Sequence, residues 1–152
     1  MNVFTINTSD PMGYMDWARA SAPITVTPSN TATAGVCLPT AGAEEFGDMY
    51  FFNLFDNHAD SLSGNYYDPE VAAEIAKIAD KRTVRMVDHY TALTPVNDGF
   101  EVGMTYANYN INVYTKNPQR YIQELAEYQA AANQNGFEDV TLGAFEINSG
   151  DY

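Results

Sequence analysis

Ile6-Asn7-Thr8-Ser9-Asp10-Pro11-Met12-Gly13-Tyr14 is echoed late in the chain by Val113-Tyr114-Thr115-Lys116-Asn117-Pro118-Gln119-Arg120-Tyr121, and this pair decides the predicted fold. Each copy leaves an alternating stretch, passes a Thr, reaches an Asp or Asn followed by Pro, and sets a Tyr three residues after that Pro. Asp10 and Asn117 suit the N-cap, where a side-chain oxygen accepts from the free N–H groups of a first helical turn. Pro11 and Pro118 suit the first helical position, where a missing N–H costs nothing. Both copies therefore predict strand, tight turn, helix. A repeat of that unit constrains topology more than local propensity does.

Working outward, Tyr121, Ile122, Leu125, Tyr128 and Ala132 recur at helical spacing, and Asn135-Gly136 supplies a left-handed stop, which predicts a helix over 118–134. Tyr14, Met15, Trp17, Ala18 and Ala22 give a shorter stripe that Pro23 ends, a helix over 11–21. A third helix opens at Asp68-Pro69, with Val71, Ile75, Ile78 and Ala79 on one face. Residues 83–93 lack Gly and Pro and read as its continuation, straight or kinked, through Met86 and Tyr90. The alternative is a strand in which Val84, Met86 and Tyr90 share a face.

Period-two alternation predicts a strand at 2–8, with Phe4 and Ile6 opposite Val3, Thr5 and Asn7, and one at 49–55, apolar on both faces. Phe100, Val102, Met104 and Tyr106 alternate, and after a parity switch near Ala107-Asn108 the pattern continues through Tyr109, Ile111 and Val113. A last strand is expected at 139–147 and a weaker one at 34–38, while 21–34 and 56–67 read as loops.

Two strand–helix–strand units, 2–55 and 108–147, with a helical insertion around 56–98 between them, compose one domain over 1–152. The expected class is α+β: a ferredoxin-like βαββαβ sandwich, an antiparallel sheet with helices on one face. The first and third strands of that fold lie side by side. The echo then pairs Phe4 with Ile111 and Ile6 with Val113 beneath the helices, and it sets Val3, Thr5 and Asn7 beside Asn110, Asn112 and Tyr114 on the open side. In this layout the chain resembles the dimeric α/β-barrel group of ferredoxin-like proteins, which includes the antibiotic-biosynthesis monooxygenases. The resemblance implies a homodimer whose open sheet faces close into a barrel able to hold a small ligand.

Composition limits the function classes. A chain of 152 residues with 45% apolar side chains can hide roughly 70% of its unfolded surface without staples. No stretch reaches the roughly 18 uncharged apolar residues of a membrane span, and the N-terminus lacks the layout of a signal peptide, so a soluble cytoplasmic protein is expected. A net charge of −13 repels phosphate backbones and anionic lipid, so neither nucleic acid nor membrane is an expected partner. Cys37 is the sole cysteine and reads as a small buried apolar residue.

The motif chemistry is sparse. His58 and His89 have no metal-ligand spacing, so no metal is expected. Thr40-Ala41-Gly42-Ala43 lacks the phosphate-loop lysine and the dinucleotide pattern, so no cofactor is expected either. No Gly-x-Ser-x-Gly nucleophile elbow occurs, and Glu44-Glu45 reads as a solvated charge cluster more readily than as an acid/base pair. What remains is a set of amides on predicted strands. Asparagine is a poor strand former, and an inward-pointing amide costs stability unless it finds a partner. Asn7, Asn53, Asn110 and Asn112, with Tyr114 and with Phe51 framing them alongside Phe55, are therefore the expected ligand-binding residues. The expected function is a small-molecule-binding protein, a cofactor-independent oxygenase or isomerase included, with its cavity at the open sheet face. The alternative is a non-catalytic dimeric interaction protein that uses the same face as an interface.

Overall fold

A computed structural model describes residues 1–26, 30–63, 67–96 and 103–150. Asn2–Thr8 forms β1 and Pro11–Thr25 forms α1. The Asp10 carboxylate accepts from the Gly13 N–H at 2.9 Å, the cap its position implies. Thr31–Cys37 is β2 and Asp48–Phe55 is β3. A short α2, His58–Leu62, opens where Asn57 accepts from the Asp60 N–H at 3.0 Å. Pro69–Ala76 is α3, capped by Asp68, and a single 3-10 turn over Ala79–Lys81 leads into β4, Arg82–Ala92. Pro118–Gln134 is α4 and Phe145–Ser149 is β5. No helix among the described residues is long and apolar enough to cross a membrane.

The chain is α+β, with a five-stranded antiparallel sheet in the order β2-β3-β1-β4-β5. Several expectations are corrected. Helix α1 runs past Pro23: the Thr25 hydroxyl donates to the Ser21 carbonyl at 3.1 Å and the Val26 N–H to that of Ala22 at 2.9 Å. Proline removes one donor near the helix end, which is too local a loss to stop the last turn. Residues 82–92 are a strand and do not continue α3. Thr83, Val84, Val87 and Thr91 are β-branched and prefer extended backbone. Val84 and Met86 do not share a face, because Ile6 pairs with Val84 and Thr5 with Met86, leaving Arg85 as an extra, bulged residue.

The echo holds for the helix starts and fails for the strands. Asn117 caps α4 as Asp10 caps α1, accepting from the Arg120 N–H at 3.1 Å. Residues 104–114, however, form no strand, and of 139–147 only the part from Phe145 is one. Strand β1 pairs with β3 along one edge and β4 along the other, so 108–115 has no edge of β1 to occupy. The strand–helix–strand that completes the first four strands is 48–92; its strand β3 belongs to the first expected unit, and its α3 and β4 lie in the segment expected as an insertion. Phe100 and Val102 lie outside the described residues.

The chain divides into two compact units, Met1–Tyr90 with Ile147–Tyr152, and Thr91–Glu146. In the second, the Gln129 amide ties α4 to the segment after it, donating to the Val140 carbonyl and accepting from the Leu142 N–H, both at 2.7 Å. In the first, Ile6, Tyr14, Met49 and Ile78 form the buried core, and Phe4, Trp17, Ala18, Val36 and Phe51 pack against it. Each such fully buried apolar side chain contributes about 1.5–3 kcal/mol.

Candidate functional site

Register decides which side chains of the first unit meet the helices. Asn2 lies opposite Asn53, Phe4 opposite Phe51 and Ile6 opposite Met49, and residues directly opposite one another share a face. The bulge at Arg85 keeps Val84 and Arg82 on this face as well, across from Ile6 and Thr8. Helices α1 and α3 cover it incompletely. Between them and the sheet lies a cavity of about 550 Å³, walled by Phe4, Phe51, Phe55 and Val84 below and by Trp17, Val71 and Ile75 above. That volume is within the usual span of small-molecule pockets.

Polar groups enter this apolar wall at few points. Arg82 opens β4 beneath α1, with its guanidinium carbon 5.5 Å from the centre of the Tyr14 ring and 5.6 Å from that of Trp17. Its Nη1 donates to the Tyr14 hydroxyl at 2.7 Å. Burial pushes the Tyr14 phenol above its ordinary pKa, and the charge and hydrogen bond of Arg82 pull the other way without cancelling the rise, so the phenol is neutral at physiological pH. Two further atoms, Trp17 Nε1 and Asn53 Oδ1, are buried with no hydrogen-bond partner. An orphan of this kind costs about 1–3 kcal/mol, and such groups are rare enough to need a reason.

Of the residues expected to act together, two line this cavity. Phe51 and Asn53 both line the cavity, but on the helix-covered face and not the open one. Asn7 is on the opposite face, one step out of phase with Phe4 and Ile6, and donates from Nδ2 to the Phe46 carbonyl at 3.1 Å and to Asp48 Oδ1 at 2.9 Å. Asn110, Asn112 and Tyr114 are exposed in the second unit and line no part of this cavity. Tyr14, Trp17 and Arg82 also line the cavity and are not among the residues expected from the sequence. The apolar stripe of α1 contained the first two, whereas reading 83–93 as helix hid the place of the third.

The other candidates resolve into structure. Arg85 gathers Glu44 at 3.2 Å, Glu45 at 3.1 Å and Asp48 at 2.7 Å, so the acidic pair is an ion-pair partner. Burial pushes the Cys37 thiol up, away from the reactive thiolate. Both histidines line a second cavity of about 340 Å³ with Asn2, Tyr90 and Asn148. The Asn2 amide donates to the Ser61 carbonyl at 3.2 Å, which turns its oxygen toward His89 Nδ1 at 2.9 Å and sets the ring proton there. Among the described residues no three His, Cys, Asp or Glu side chains converge on a point that could hold a metal ion.

The chain matches no protein-family model, no curated protein and no solved structure.

Proposed function

We propose that this chain is a binding protein for a small, largely apolar molecule, held in the helix-covered cavity of a ferredoxin-like first unit. The fold part of this reading is supported by the connectivity β1-α1-β2-β3-α3-β4, with α2 a short addition, and by the neighbour order β2-β3-β1-β4. That combination fits a βαββαβ sandwich. The ligand part is carried by one observation: an unpartnered donor, Trp17 Nε1, and an unpartnered acceptor, Asn53 Oδ1, belong to side chains on the wall of one apolar cavity. Both atoms are buried, so their unmade hydrogen bonds cost stability. A molecule that brings an acceptor and a donor on an apolar body recovers it once either side chain turns toward the opening.

Binding, without turnover, is the reading these walls favour. The described residues lining the cavity include no carboxylate, histidine, lysine or cysteine, and the neutral Tyr14 phenol is held by Arg82. A cofactor-independent oxygenase or isomerase needs a group that moves a proton near neutrality.

Trp17 is the only tryptophan in the chain, so its emission reports on this cavity alone. Octanamide combines an apolar tail with a neutral donor and acceptor. Titration should shift or quench the Trp17 emission to saturation and raise the melting temperature. Asn53→Leu should weaken octanamide binding by roughly 5-fold to 10-fold, the net worth of one hydrogen bond, while leaving the unliganded protein as stable or more so. No saturable change in emission would refute the reading.

A further inference from the structure

We infer that the natural ligand carries a carboxylate, held by Arg82, with its apolar body against Phe4, Phe51, Phe55 and Ile75; this rests on the cavity being a ligand site at all. Arg82 is the one charged side chain among the described walls. The chain has 20 acidic residues against 7 basic ones, yet no carboxylate pairs with Arg82 among the described residues. Arg85, Lys77 and Arg120 each find one; Arg19, Lys81 and Lys116 share the lack, but of these unpaired cations Arg82 alone lines the cavity.

The guanidinium is also held in place. Two aromatic rings lie within 5.6 Å of its carbon, and one N–H is taken by the Tyr14 hydroxyl. Contact with ring faces attracts the cation and restricts its plane. Of the five N–H groups an arginine carries, most therefore remain for a ligand, already oriented. A planar carboxylate accepts two parallel N–H bonds from such a fork. A phosphate dianion fits less well: among the described residues one positive charge faces this cavity, and a net charge of −13 opposes multiply charged anions. The hydroxyls of Ser21, Thr25 and Ser61, also on the wall, already donate to the carbonyls of Ala18, Ser21 and His58 and add no charge.

The test compares octanoate with octanamide, which share size and shape and differ in charge, on the full chain and on Arg82→Gln. Glutamine keeps a donor for the Tyr14 hydroxyl and removes the cation. In the wild-type protein octanoate should bind roughly 10-fold to 100-fold more tightly than octanamide by Trp17 emission, the range for a charge-assisted hydrogen bond. Arg82→Gln should abolish that preference, and Arg82→Lys should retain part of it. Equal affinity for the two ligands in the wild-type protein, or a preference that survives Arg82→Gln, would overturn the carboxylate and leave the cavity reading standing. If neither ligand changes the Trp17 emission, both readings fall. Should Arg82→Gln not fold, the wild-type comparison and Arg82→Lys still decide.

Discussion

Asp48 stands at the first position of β3, 5% exposed, and is ionised there because its partners outweigh its burial. Desolvation pushes its carboxyl up. Hydrogen bonds from the Asn7 amide, the Glu45 backbone N–H and Arg85, with the charge of Arg85, bring it below the usual carboxylate range. Because the folded pKa is depressed, the unfolded chain binds the proton more readily. The resulting stability is fully present above the ordinary aspartate value of about 3.9 and is lost as the pH falls through the folded value. Thermal melts between neutral pH and pH ~3 should show an acid limb that Asp48→Asn flattens, at the cost of lower stability at neutral pH. An unchanged acid limb in Asp48→Asn would contradict this. Asn7 was singled out as a ligand group for the same property that makes it structural here: an amide on a strand needs a partner, and Asp48 is that partner.

At the scale of elements, capping chemistry was the most legible signal. Strand β1 at 2–8 and helix α4 at 118–134 have their expected bounds, since Asp10-Pro11, Asn117-Pro118 and Asn135-Gly136 act through local geometry alone. Strand β4 was not legible as such. Its bulge at Arg85 breaks the alternation that marks a strand, leaving apolar spacings that a helix fits equally well. The opposite error occurred at 104–114, which alternates and yet forms no strand. Alternation describes a chain that can pair, and the pairing expected with β1 also needs an edge that β3 and β4 already occupy. Hydrogen exchange should therefore separate these segments: amides of β1 and β3 should be strongly protected, and those of 104–114 should exchange within the fast phase. Protection over 104–114 comparable to that of β1 would contradict the fold described here.

For the molecule as a whole, the α+β class was readable from the mixture of periods. The division into halves was not, because a short echo marks two similar helix starts without saying which strands pair. The face that carries the cavity was not legible for a related reason. Strand β3 is apolar on both sides, so its sequence does not say which side the helices cover, and only the register of Phe4 with Phe51 settles it. Phe51 and Asn53 line a cavity on the helix-covered face and not on the open face expected of them, and only the fold brings Arg82 to the same wall. The most direct measurement is a ¹H–¹⁵N correlation spectrum of the labelled protein titrated with octanamide. The expected result is a saturable set of shift changes clustered at Phe4, Trp17, Phe51, Asn53, Val71 and Ile75. An unchanged spectrum, or changes confined to Val3, Asn7 and Phe52 on the other side of the sheet, would contradict it.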